Sequence, residues 1–249
     1  MASVDLNKLF EKNLKLTKQK IKTSVSRDFL IVQAHSMTED INKVSSILVN
    51  RLRAWFELYC PEFSHSIKSN SKFIELISSK SRKELLKEIN VKEKECMGAD
   101  LDKKDVVIIL ESAKSLGDLY SKKEVLESYI KEVMEDVCPN LLAVAGLSIG
   151  AKLLALAGSL KRLSEFPSST VQVLGAEKAL FRHIMGKGKS PKHGVIVQHS
   201  LMEHHPDKDK GKIARALADK IAIAAKVDFF KGEFVGDKLK EGLEKRFRK

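Results

Sequence analysis

The chain has 249 residues, a formal net charge of +12 and a pI near 9.5. Charged residues make up 31% and aromatics 6%, a balance that suits a helix-rich chain and is lean for a β-sandwich. No window of about twenty uninterrupted apolar residues exists, so no membrane span or membrane partner is expected.

The first thirty residues lack an apolar stretch flanked for cleavage, so no secretory leader is expected. Three scattered cysteines, Cys60, Cys96 and Cys138, show no metal-pair spacing and imply no disulfide framework. They read as packing residues in apolar helical contexts and point to a reducing, cytoplasmic location.

Residues 1–27 are lysine-rich with a helical pattern (Leu6, Leu9, Phe10, Leu14, Ile21). Residues 28–60 read as one helix, with Ile41, Val44, Leu48, Leu52, Trp55 and Tyr59 at spacings of three and four and Pro61 ending it. The cluster Trp55, Phe56 and Tyr59 reads either as packing or as a subunit contact. Shorter helices follow over 69–103, carrying Phe73, Ile74, Ile77, Leu85, Leu86 and Ile89. A second long helix runs from about Lys104 to Cys138, with Asp102 as a candidate cap and Pro139 after its end. Two long amphipathic helices around an insertion of shorter ones predict an arm. Arg51 and Lys123 fall at seam positions, which favours an antiparallel hairpin over a parallel zipper.

The character changes at Asn140. Ile149 to Leu163 reads as a close-packing Gly/Ala/Leu helix, and Phe166-Pro-Ser-Ser-Thr170 as a turn that caps the next helix. That helix carries Gly175-Ala-Glu-Lys-Ala-Leu-Phe-Arg-His183. Val195 to His199 is short and β-like, His204 to Gly211 is a polar loop, and Lys212 to Val227 is an alanine-rich helix. On it Lys212, Arg215, Asp219 and Lys226 form one polar stripe. The charge is uneven: 1–138 holds 24 basic and 22 acidic residues, a net of +2, whereas 139–249 holds 21 and 11, a net of +10. Bulk solubility does not require that asymmetry; a polyanion-binding domain on a neutral arm does.

The binding residues follow from this concentration of charge. Lys178 and Arg182 are four apart and share one helix face. Beside them Leu174, Leu180 and Ile184 can face a core. Gly186-Lys-Gly-Lys-Ser-Pro-Lys-His-Gly194 cannot extend the helix, and it leaves Lys187, Lys189, Lys192 and His193, with Pro191 among them, on a mobile cationic loop. RNA is the first partner to consider. Phe181, His193 and His199 are candidates for stacking or shape reading, with a core position for Phe181 equally open.

Other chemistries fail on spacing. A phosphate-binding loop ending at Gly188-Lys189-Ser190 needs a glycine where His183 stands. His199, His204, His205 and Asp207 have ligand chemistry, but their irregular spacing, with Pro206 among them, makes loop histidines the better reading than a metal site. No nucleophile elbow or acid/base pair is present. No enzyme, cofactor or metal is expected.

Four segments carry a resemblance: Gly150 to Leu160, Ser169 to Leu174, Gly175 to His183 with Pro191-Lys-His-Gly194, and Gly211 to Leu217. Together they resemble the Nop domain of box C/D small ribonucleoprotein scaffolds, the archaeal members above all. The similarity is dense from about Asn140 to Asp228. It extends weakly back to about Lys8 through Arg27 to Ala34 and Arg51 to Phe56.

The resemblance implies an all-α fold in three parts: an N-terminal remnant over 1–27, a coiled-coil arm over 28–138 and a Nop domain over 139–249. It implies a non-enzymatic scaffold for guided RNA 2′-O-methylation, gripping a kink-turn RNA already bound by its kink-turn-binding protein and pairing two copies through the arm. On this chain the matching motif is Gly175, Ala176, Glu177, Lys178, Ala179, Leu180, Phe181, Arg182 and His183. The following loop and the Lys212–Arg215 helix join it. The family's N-terminal domain recruits the methyltransferase fibrillarin, but the segment before Arg27 matches only that domain's last helix. Either a separate chain supplies the rest, or the protein is a diverged scaffold without a methylation role.

Overall fold

The computed structural model describes residues 6–203 and 205–247, with the side chains of Thr23 and Asp207 excepted. Among these residues it is all-α: fourteen α-helices, two 3-10 turns and no strand. No single helix is long and apolar enough to cross a membrane. The chain divides into two compact units, residues 1–35 with 129–249, and residues 36–128.

The unit over 36–128 is built on two long helices that run into it, α2 (Arg27–Phe56) and α6 (Lys103–Val137), with α3 (Pro61–Ser66), α4 (Asn70–Ser79) and α5 (Arg82–Glu88) between them. Its core joins Val49, Leu52 and Phe56 of α2 to Phe63, Phe73, Ile77, Leu85 and Leu86 of the short helices and Ile109, Ala113 and Leu116 of α6. Phe56 packs edge-on against both Phe63 and Phe73. Ser81 opens α5 in a capping box, its backbone N–H donating to the Glu84 carboxylate at 2.8 Å.

The buried seam of α2 differs from the one the pattern predicts. Thr38, Ile41, Ser45, Val49, Leu52 and Phe56 are inside, whereas Val44, Leu48 and Trp55 are exposed. Arg51 therefore lies off the seam, on the solvent side. Lys123 is half-buried and pairs with Glu127 one turn on. Pro61 also acts differently. The helix stops at Phe56, and Pro61 takes the first turn of α3, where its missing N–H costs nothing; Pro139 does the same for the next helix after α6.

The other unit contains α1 (Leu6–Ser24) and a bundle of α7 (Pro139–Ala145), α8 (Leu147–Ala157), α9 (Leu160–Glu165), α10 (Ser168–Val173), α11 (Glu177–Ile184), α12 (Ser200–Glu203), α13 (Asp207–Phe229) and α14 (Gly236–Phe247). The helix expected over 149–163 is two helices, broken at Gly158 and restarted by Ser159, whose hydroxyl accepts the Arg162 N–H at 3.1 Å. The residues expected as a short strand form a 3-10 turn over Val195–Gln198, which buries Val195 and Ile196.

At the centre lies α13. Its alanines let backbones approach closely, and Ala214, Leu217, Ala218, Ile221, Ala224 and Ala225 are buried. It packs against α7, α9, α10 and α14. Near its end the Asp228 carboxylate caps α7, accepting the Asn140 N–H at 3.1 Å, the Asn140 side-chain amide at 2.7 Å and the Leu141 N–H at 2.8 Å. Asn140 in turn accepts the Val235 N–H at 2.7 Å, tying in the approach to α14. Burial raises the Asp228 carboxyl above the usual aspartate range, against the opposing pull of its three hydrogen bonds. Asp28 plays the matching part for α9, accepting the Leu160 N–H at 2.7 Å.

Candidate nucleic-acid interface

The segment Gly175 to Gly194 is held out from the bundle by its two ends. Expected as part of one helix, Gly175 instead breaks the chain between α10 and α11. It has φ of +87°, a left-handed conformation that favours glycine, and a Cβ there would lie 2.2 Å from Val195 Cγ2. Its N–H donates to the Glu177 carboxylate at 2.7 Å, which places Glu177 as a structural residue at the start of α11.

The helix α11 itself has one half-buried side, Ala176, Ala179 and Leu180. The rest of it faces solvent. Lys178 and Arg182 are exposed one turn apart, as the spacing predicts. Phe181 is 62% exposed, which excludes a core position, and Ile184, expected inside, is 71% exposed. The sequence misjudges Ile184 because a helix of eight residues touches the bundle over too narrow an arc to cover it.

The loop after α11 is ordered at both ends. His183 donates through Nδ1 to the Gly188 carbonyl at 2.9 Å, since a carbonyl can only accept, and the Lys187 N–H donates to the Arg182 carbonyl at 2.8 Å. At the exit the Gly194 N–H donates to the Gln172 carbonyl at 2.7 Å and the Val195 N–H to the Leu174 carbonyl at 2.8 Å. The Gln172 side chain donates to the Lys192 carbonyl at 2.6 Å. The approach at Gly194 is so close that a Cβ would lie 1.9 Å from the Leu174 oxygen. The Pro-Lys-His-Gly exit is therefore a backbone latch. Lys187, Lys189 and Lys192 are exposed on it, while Pro191 and His193 are half-buried.

The latch brings Lys192 to α13. A cleft of about 520 Å³ is lined by Lys192, Lys208, Lys212 and Arg215, with Ser169, Gln172 and Ser190 as neutral donors. Lys192, Lys212 and Arg215 are expected as binders from separate segments; the fold collects them. Lys208 is not among those expected, although its spacing of four and seven from Lys212 and Arg215 places all three on one helix face. Among the described residues none of Lys178, Arg182, Lys187, Lys189, Lys192, Lys212 or Arg215 forms a salt bridge. Seven cations left without carboxylate partners form a field that suits a polyanion.

His199 stands differently from its expectation. It is half-buried, donating through Nε2 to the Val144 carbonyl at 3.1 Å and accepting the Leu201 N–H at Nδ1 at 3.2 Å. Both ring nitrogens are used inside the protein, so the ring is a strut beneath the surface rather than a free stacking face. Burial lowers its pKa, with the Val144 bond acting in the opposite sense. His205 turns one nitrogen to the Leu201 carbonyl and the other to the Phe247 carbonyl, and His204 lies outside the described residues. The group with ligand chemistry that the spacing did not reveal is elsewhere: Cys60, Glu62 and Cys96 bring their ligand atoms within 4.8 Å of one another. Cys96 sits in a half-buried loop and not on an apolar helix.

Comparison with known proteins places the chain in a family. A family model described as Nop, snoRNA binding domain, fibrillarin, matches residues 37–249. An uncharacterized NOP5 family protein of Methanocaldococcus jannaschii is 37% identical, over 93% of this chain and 59% of its own length. Nucleolar protein 56 of Dictyostelium discoideum is 36% identical over 86% of this chain and 43% of its own length, and the human nucleolar protein 56 is 32% identical over 92% and 42%. The chain thus spans about half the length of the curated relatives it matches. A solved chain from a fibrillarin/Nop5p complex superposes with a TM-score of 0.59 at 26% identity, covering 99% of this chain and 79% of that one. The cytoplasmic location expected from the sequence is corrected by these relatives, several of which are nucleolar proteins by name.

Proposed function

The chain belongs to the Nop family, whose Nop56/58 members are non-catalytic ribonucleoprotein scaffolds, and from that membership we propose that it scaffolds a box C/D-type ribonucleoprotein. It grips a kink-turn RNA together with the protein already bound to that RNA. The observation that carries this reading is the set of seven unpaired cations on α11, the latch loop and α13, with Phe181 exposed among them. Such a surface contacts phosphates, which position a protein without reading sequence. Selectivity must then come from shape and from the second protein. No acid, base or nucleophile takes part.

Fibrillarin recruitment belongs to the proposal, because the superposing chain was solved in a fibrillarin/Nop5p complex. Self-association through residues 28–138 belongs to it too. Leu48, Arg51 and Trp55 of α2 line an open groove with Ser112, Ser115 and Leu119 of α6, and an exposed apolar stripe of this kind suits a second copy. Residues 139–249 act as the Nop domain.

The test is a gel-shift titration on a box C/D kink-turn RNA, with and without its kink-turn-binding protein, and on a mutant RNA that cannot kink. A tight shift only when both partners are present supports the scaffold. Equal, salt-erased binding to every RNA would reduce the surface to a general polyanion binder and refute the proposal.

A further inference from the structure

We propose that Cys60 and Cys96 form a redox-active dithiol, which a low-molecular-weight disulfide converts to an intramolecular disulfide closing the neck of the α3–α5 insertion. The inference concerns the 36–128 unit alone and is independent of RNA binding.

The two residues are distant in sequence and adjacent in space. Cys60 is the residue before α3 and is fully buried; Cys96 follows the 3-10 turn over Glu93–Glu95 and is half-buried. Their sulfurs lie within 4.8 Å of each other. The backbones that carry them are already locked together. The Ala99 N–H donates to the Leu58 carbonyl at 2.8 Å, and the Met97 N–H to the Glu62 carboxylate at 2.7 Å. Gly98 lies so close that a Cβ there would be 2.1 Å from the Tyr59 oxygen. A disulfide needs a sulfur separation of about 2.05 Å. With the chains fixed this near, rotation of the two side chains closes the gap.

The surroundings make the two sulfurs unequal. Arg82 lies over the Tyr59 ring, 4.8 Å from its centroid, and donates to the Cys96 sulfur at 3.3 Å, the Gly98 carbonyl at 2.9 Å and the Asp100 carboxylate at 2.8 Å. The Cys96 thiol in turn donates to the Glu62 carboxylate at 3.0 Å. Cys60 is fully buried, and burial pushes its thiol up to about 11. Cys96, only half-buried, is therefore the sulfur that a small disulfide reaches first, and Cys60 the one that resolves.

The steps balance. The Cys96 thiolate attacks one sulfur of the small disulfide, forming a mixed disulfide and releasing one small thiolate. The Cys60 sulfur then attacks the Cys96 sulfur, passing its proton to the second small thiolate as that leaves. Two protein thiols are oxidised by two electrons, and one disulfide is reduced to two thiols.

The same atoms could be read as a metal site, two thiols and a carboxylate. Arg82 opposes that reading, since its positive charge lies 3.3 Å from the Cys96 sulfur, and among the described residues three ligands converge where zinc takes four.

The test uses the folded 249-residue chain incubated with oxidised glutathione, alkylated and mapped by mass spectrometry. The expected product is a linked Cys60–Cys96 peptide with two thiols lost, Cys138 still free and reversal by dithiothreitol. Cys60→Ser should stop at a mixed disulfide on Cys96, and Cys96→Ser should not react. A wild-type mixed disulfide that never couples, or three unreacted thiols, would overturn the proposal. So would stoichiometric zinc uptake that protects both thiols, which would make the cluster a metal site.

Discussion

Replacing Asp228 by alanine should destabilise the 1–35/129–249 unit by about 3–4 kcal/mol, roughly two to three orders of magnitude in its unfolding equilibrium. Three donors lose their acceptor: the backbone N–H groups of Asn140 and Leu141 and the Asn140 side-chain amide, all in a buried setting. Each buried donor left unsatisfied costs about 1–3 kcal/mol. The total is reduced because the carboxylate itself is held at a desolvation cost, the cause of its raised pKa. Asp228→Asn keeps one carbonyl oxygen for the Asn140 pair but turns an amide toward the Leu141 N–H, so its loss should be about half as large. The sign with pH comes from the raised folded-state value. The folded protein holds that proton more tightly than the unfolded chain, so the Asp228 contribution is fully present below the ordinary aspartate range. It diminishes as pH rises through the raised value. Urea titrations followed by far-UV circular dichroism, at pH 7 and toward pH 4, check this. The gap between wild type and Asp228→Ala should widen in acid. A loss below about 1 kcal/mol at both pH values, or equal losses for alanine and asparagine, would refute the capping argument.

Lys178→Ala with Arg182→Ala should abolish the complex with kink-turn RNA and its protein while leaving thermal unfolding unchanged, because both side chains are exposed and neither forms a salt bridge; gel shift and calorimetry check it. Lys192→Ala, Lys212→Ala and Arg215→Ala together should lower the slope of log affinity against log salt by about 2–3, at roughly 0.7–0.9 per phosphate contact; a slope unchanged within error would place RNA away from the cleft. His199 has a lowered folded-state pKa, so its contribution to stability is present above the ordinary imidazole range and is lost as pH falls through the folded value. In His199→Gln that part of the pH dependence should vanish from the urea midpoints. Gly194→Ala should unlatch the loop, with a loss of about 3 kcal/mol or more, since the new Cβ meets the backbone of Leu174 and Val173; hydrogen exchange at Gly194 and Val195 should then rise.

Much of this molecule is legible without coordinates where the signal is local. The break after Cys138 is written in the very next residue, Pro139. The Lys178/Arg182 face is written in a spacing of four, and the structure realises it one turn apart. The hidden features depend on chains meeting. The Gly175 break looks like helix interior because the requirement comes from Val195, twenty residues later, against which any Cβ would clash. Cys60 and Cys96 look unrelated because the neck that joins them closes through the Ala99 N–H to the Leu58 carbonyl and the Met97 N–H to the Glu62 carboxylate. Val195 to His199 has β-like composition, but no neighbouring chain offers a ladder, and the segment winds instead into a 3-10 turn that buries its two leading apolar residues.

The seam of α2 shows why periodicity alone does not fix which side is buried: Ile41 and Leu52 of the predicted stripe are inside, and Val44, Leu48 and Trp55 are not. Val44, Leu48 and Trp55 make a stripe with the same spacing as Ser45, Val49, Leu52 and Phe56, one position away around the helix. The true seam includes Thr38 and Ser45, whose hydroxyls interrupt its apolar pattern, so periodicity does not single it out from the neighbouring stripe. Only the α3–α5 insertion decides between them: Phe56 must meet Phe63 and Phe73, and that contact fixes the rotation of α2. The stripe that looked like the core is thereby left on the surface, with Trp55 40% exposed and Leu48 44%. A helix that spends apolar residues on two adjacent faces, and buries only one of them within its own unit, has a second face to cover. This is the physical ground for proposing that the arm meets another copy. Trp55→Glu should therefore separate such a pair in sedimentation while leaving the Phe56 core, on the other face, folded.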